Sequence, residues 1–103
     1  MDTNETEAKL HDFFESAHAP GALDAKTKEL LHIALLLALR CESSAVSHFA
    51  VARSMGITDA ELDEVVQLAA AVGAGSIAAM AKRARKTAET ERTLWGPKRE
   101  GEV

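Results

Sequence analysis

Four residues of different chemistry fall within one short stretch, ELLHIALLLALRCESSAVSH, residues 29–48: Glu29, Cys41, Ser44 and His48. Ser44 and His48 are four apart, so on a helix they share a face. A thiol at a helix N-terminus near an imidazole is favoured as the thiolate, the nucleophilic form. With one cysteine in the chain, a sulfenic acid on Cys41 would need an external thiol or a partner subunit to resolve it. Serine, histidine and glutamate are also the components of a nucleophile, its base and an orienting acid. Ser44 lies inside a predicted helix and no oxyanion hole can be identified, which argues against hydrolysis. The plain alternative for Cys41 is a small apolar filler at a helix joint.

The elements that must position these groups are helical. Alanine and leucine dominate, 47% of the residues are apolar, and no stretch alternates apolar and polar residues persistently. The chain therefore reads as all-α with about five helices. The first is predicted over Glu5–Ala17, with Leu10, Phe13, Phe14 and Ala17 as its stripe. His11 and His18 flank that stripe and read as surface histidines. Ala19-Pro20-Gly21 ends it. Asp24 caps a second helix that is predicted to run to about Arg40 and to turn apolar on every face after Glu29. In so small a protein, part of that surface is expected to meet another subunit.

Cys41 marks the joint to a third helix, which Gly56 ends as a left-handed cap. Thr58-Asp59-Ala60-Glu61 is a capping box for the fourth. Gly73-Ala74-Gly75-Ser76 is read as a bend that allows close helix packing, before a fifth helix over Ile77–Ala88. No strand precedes this stretch and no G-K-[ST] follows, so a phosphate loop is not indicated. One domain is expected over residues 1–88, with a charged, loosely ordered tail over 89–103 whose exceptions are Leu94 and Trp95.

Glu29-Leu30-Leu31-His32 is an E-x-x-H string of the kind used by di-iron bundles, but the further glutamates such a centre needs are missing. His32 reads as a hydrogen-bonded core residue. No metal or cofactor is expected. The net charge of −4 argues against nucleic-acid binding, although seven of the twelve basic residues fall between Lys82 and Arg99. The N-terminus lacks the features of a signal peptide, and the apolar run Leu30–Leu39 is far shorter than the roughly 20 residues of a membrane span. The expectation is a protein of the reducing cytoplasm with no membrane partner.

The spacing of Glu29, Cys41, Ser44 and His48, followed by Ala52-x-x-x-Gly56 and TDAELDEV, resembles the alkylhydroperoxidase D-like, or carboxymuconolactone decarboxylase, family over about Leu23–Ile77. The resemblance implies a small helical fold assembled as a homotrimer or homohexamer. In its peroxidase branch two cysteines form C-x-x-C, and a glutamate and a histidine relay protons to them. By position these are Cys41, Glu29 and His48, with Ser44 replacing the second cysteine, the one generally oxidised. Serine can neither form a sulfenic acid nor close a disulfide, so the two-cysteine cycle is expected to be lost. Three functions remain open: single-thiol redox chemistry at Cys41, cofactor-free acid–base chemistry on a small lactone acid by Glu29 and His48, and a non-catalytic binding or scaffold role.

Overall fold

The computed structural model describes residues 3–95, which form four α-helices and, among the described residues, no strand. They are α1 Thr3–His18, α2 Ala25–Ala38, α3 Glu42–Ser54 and α4 Asp59–Trp95. The all-α class expected from composition is what is observed. The chain divides into two compact units, Met1–Ala69 and Ala70–Val103.

The first unit holds the core. Ile33 of α2, Ala52 of α3, Ile57 in the connection and Leu62 of α4 are buried together, and Leu30, Leu37, Phe49 and Val65 pack against them. Helix ends fix how these elements meet. Asp24 accepts the Thr27 amide proton at 2.7 Å and starts α2. Thr58 and Glu61 form the predicted capping box, with Glu61 N–H to Thr58 Oγ1 at 3.1 Å and Thr58 N–H to Glu61 Oε1 at 3.0 Å.

Helices α2 and α3 end in the same way. Beyond α2, Cys41 N–H donates to Leu36 O at 2.9 Å and Arg40 N–H to Leu37 O at 3.2 Å, with Arg40 left-handed at φ 60°. Beyond α3, Ile57 N–H donates to Ala52 O at 3.0 Å and Gly56 N–H to Arg53 O at 3.1 Å, with Gly56 at φ 78°. Both are Schellman motifs. Gly56 is the cap expected from sequence. Arg40 does the same work with a side chain, at a cost of about 1 kcal/mol, and helix α2 therefore stops at Ala38 rather than reaching Arg40.

α1 buries none of its residues, and Leu10, Phe13 and Phe14 of the expected stripe are all at least half exposed. Of α2, only Glu29 and Ile33 are buried, while Leu35 and Leu39 are 62% and 72% exposed.

In the second unit the expected break at Gly73–Ser76 is absent, and α4 is continuous through Trp95. Two glycines cost about 1 kcal/mol each in a helix, and alanine-rich sequence on both sides outweighs that. A Cβ at Gly73 or Gly75 would meet nothing within 4 Å, so within the chain these glycines do not serve close packing. The helix also passes the point, Glu89, where a loose tail is expected from composition. The rest of that tail and the side chains of Leu94 and Trp95 lie outside the described residues.

No charged residue falls between Glu64 and Lys82. The helix over Asp59–Arg92 is consequently long and apolar enough to cross a membrane by length and composition alone. This uncharged stretch of α4 is longer than the strongly apolar run Leu30–Leu39. Helices of soluble proteins meet the same test, and it assigns no location.

Candidate functional site

The site begins with a buried acid. Glu29, on the inner face of α2, is 5% exposed and is the buried charged residue of the described chain. Its Oε1 accepts the Nδ1 proton of His48 from α3 at 2.7 Å. The imidazole is about one quarter exposed, so the contact joins a buried carboxylate to a ring that solvent can reach. A carboxylate placed there requires such a partner, because an unpaired buried charge is strongly unfavourable. Two of the four residues singled out from sequence are thereby brought into direct contact.

Cys41 is placed differently. It is the N-terminal flanking residue of α3, partly exposed and free, and its Sγ lies 3.9 Å from Leu39 O. Its side chain makes no capping bond. His48 lies seven residues further along α3, two turns or about 10 Å along the axis. Ser44 sits between them on the same face, one turn from each, and is exposed. Among the described residues no bond joins Ser44 or Cys41 to His48. Position 44, where the peroxidase pattern has its second cysteine, is thus the one adjacent to the imidazole.

Two further histidines complete the cluster. His32, expected as a hydrogen-bonded core residue, is half-buried and stacks on His48 with ring centroids 4.0 Å apart and planes inclined by 22°. His18, expected to be a surface histidine, is partly buried and reaches across from the end of α1 so that its Nε2 lies 2.7 Å from His32 Nδ1. His18 Nδ1 donates to Phe14 O at 2.7 Å. His11, read as a surface histidine, is exposed and faces Glu15 one turn on at 3.6 Å. The i, i+4 spacing of His11 and Glu15 is visible in the sequence; the approach of His18 to His32 depends on the turn over residues 19–24 and is not.

Burial, then the neighbouring His48 and His18, hold the His32 imidazole below its ordinary proton affinity, while Glu29 acts in the opposite sense. The rings do not converge as metal ligands. Among the described residues, the three-residue group with donor atoms all within 4.8 Å of one another is His11, Asp12 and Glu15, exposed on α1. What the histidine cluster offers is imidazole nitrogens that can exchange protons, with the thiol-bearing end of α3 about two turns from His48.

The sequence model of the carboxymuconolactone decarboxylase family matches residues 4–90. That span covers most of the chain and all four groups of the site, and the chain belongs to this family. The search of curated proteins and the search of solved structures return no match.

Proposed function

We propose that the protein is a thiol-dependent oxidoreductase acting on peroxides, in which Cys41 carries the reacting atom and the Glu29–His48 pair handles the protons. The observation that carries this reading is the 2.7 Å contact between buried Glu29 and His48, on the helix whose N-terminus bears the thiol. The Cys41 thiolate attacks one oxygen of a peroxide ROOH, the O–O bond breaks, and Cys41 becomes a sulfenic acid. The leaving alkoxide takes its proton from the His48 imidazolium, which Glu29 stabilises, and departs as ROH. An external thiol R′SH then gives a mixed disulfide and water, a second R′SH releases R′SSR′ and restores the Cys41 thiol, and that thiol's proton returns to His48 to regenerate the thiolate and the imidazolium. With Ser44 in place of a second cysteine, Ser44 passes the proton along the face of α3 between His48 and Cys41 instead of resolving the sulfenic acid. Such a cycle belongs in a reducing compartment, and we place the protein in the cytoplasm.

Assembly belongs to the same reading. Leu35 and Leu39 on α2, and Leu68, Val72, Ile77 and Met80 on α4, are all more than half exposed. Apolar surface of this extent calls for further copies of the chain, as a homotrimer or homohexamer.

A second reading is favoured by one observation: the bond given to Cys41 Sγ goes to a backbone carbonyl and not to His48. On that reading Glu29 and His48 act without the thiol, as acid and base on a small lactone acid. The two are separated by assaying Cys41→Ala and His48→Ala with a peroxide plus thiol and with a carboxylated lactone. Loss of peroxide consumption in both variants bears out the redox reading. Lactone turnover that survives Cys41→Ala and fails in His48→Ala replaces it with the second. Inactivity of the wild type on both substrates refutes catalysis and leaves a binding or scaffold subunit.

A further inference from the structure

α1 buries no residue of its own, yet its last residue enters the site. The connection can be followed atom by atom. Phe14 O is an acceptor only, so His18 Nδ1 must donate to it. In neutral His18 the lone pair is then on Nε2, and His32 Nδ1 donates to it across 2.7 Å. His32 lies face to face with His48, and His48 Nδ1 donates to Glu29. The chain Phe14–His18–His32–His48–Glu29 thus links three helices.

This tie tolerates one proton between His18 and His32, because an imidazolium can donate to a neutral imidazole. It does not tolerate two, since both facing nitrogens would then carry hydrogen. The titratable and charged groups acting on His32 are His18 from α1, Glu29 from α2 and His48 from α3. Lys28 donates to Ala17 O and Ala19 O at 3.0 and 2.6 Å, which ties the α1–α2 joint together independently of the histidines.

We propose that His18 and His32 form a proton-sensitive latch by which the docking of α1 is linked to the protonation of the Glu29–His48 site. With His32 neutral, α1 is fastened to the site. When His18 and His32 are both charged, the latch opens and α1 pivots about the joint held by Lys28. Linkage is reciprocal: protonation loosens α1, and fastening α1 lowers the proton affinity of the cluster. The lowered proton affinity of His32 agrees with this direction. The regulatory meaning rests on Glu29–His48 being the proton-handling pair, whereas the latch itself can be measured without any turnover.

The chain has three phenylalanines, and they report the two sides of the latch: Phe13 and Phe14 lie on α1, while Phe49 packs against the core from α3. Protein labelled with 4-fluorophenylalanine is followed by fluorine NMR from pH 8 to pH 4.5, alongside nitrogen-15 NMR of the histidine rings. The expected result is a pH-dependent change at Phe13 and Phe14 that tracks the titration of His32, with Phe49 unchanged. In His18→Phe the α1 signals should sit at the released position at every pH, and the His32 midpoint should rise as the His18 ring that disfavours its charged form is removed. His32→Phe should likewise abolish the α1 transition, and it provides the test if His18→Phe perturbs the fold. A transition that persists in both variants, or α1 signals that do not change with pH in the wild type, overturns the latch. Failure of peroxide turnover leaves these signals unaffected and bears only on the proposed activity.

Discussion

Removing one partner of the Glu29–His48 pair tests whether the contact is an ion pair in a dry setting or an incidental surface bond. The carboxylate side chain is 6% exposed and the imidazole 25%. With charge centres about 4 Å apart and an effective dielectric of about 20, the gross attraction is about 4 kcal/mol, and the cost of desolvating both groups offsets much of it. Deleting His48 removes the attraction and leaves the cost. His48→Ala should therefore destabilise the fold by about 3 kcal/mol, the lower end for a broken buried pair, because water reaches the site through the exposed part of the ring. His48→Gln retains an N–H donor for Glu29 and should lose only about 1 kcal/mol. Urea denaturation at a fixed protein concentration measures both, since self-association would otherwise shift the midpoint. In combination with Glu29→Gln, the penalty of His48→Ala should largely vanish, as no buried charge is then stranded. Equal losses for His48→Ala and His48→Gln, or strict additivity in the double variant, would refute the reasoning.

Other consequences follow from single features. Ser44→Cys restores C-x-x-C with Cys41, and peroxide consumption driven by a dithiol should rise together with a disulfide between Cys41 and the introduced thiol, detectable by mass spectrometry; a dithiol-driven rate equal to that of the wild type would count against the register assigned to position 44. Arg40→Gly should stabilise the protein by about 1 kcal/mol by relieving the left-handed backbone before Cys41, whereas Gly56→Ala should destabilise it by a similar amount, both read by urea denaturation. Gly73→Ala and Gly75→Ala should each add up to about 1 kcal/mol to the helix if that face is free, and should instead weaken assembly, seen by sedimentation, if a second copy packs there.

The acid limb of stability gives a further test. Lys26 at 2.6 Å and the Thr58 backbone hold Glu61 down to about 2 from its ordinary 4.5. A depressed carboxyl stabilises the fold above about pH 4.5, and that contribution is lost as the pH falls toward 2. Glu61→Gln should flatten the stability profile between those two values. A profile as steep as that of the wild type would mean that other carboxylates govern it.

Local chemistry is the part of this chain that can be read without coordinates. Asp24, the Thr58/Glu61 box and Gly56 each satisfy backbone groups within a few residues, and each is found where the sequence places it. The Glu29–His48 contact follows from the family spacing. What escapes depends on cost or on distance. Arg40 adopts a conformation that glycine usually supplies, so nothing in its identity announces it. The Gly73–Ser76 break fails because the penalty of two glycines is small beside the helix preference of the surrounding alanines. His18 and His32 are fourteen residues apart across a turn, and no periodicity connects them. Of the four residues singled out, Glu29 and His48 are in contact, His32 and His18 adjoin them, and Cys41 and Ser44 lie nearer the N-terminus of α3.

The central claim is that Cys41 reacts with peroxide under the control of the Glu29–His48 pair. Mass spectrometry of the intact protein, with a sulfenic-acid trap present, gives the rate of Cys41 oxidation by an organic hydroperoxide in the wild type and in His48→Gln, the variant expected to keep its fold. The account predicts a trapped adduct on Cys41 in the wild type and a rate at least about tenfold lower in the variant, a conservative figure for loss of a positioned proton donor. An unreactive Cys41, or the same rate in both proteins, would contradict it.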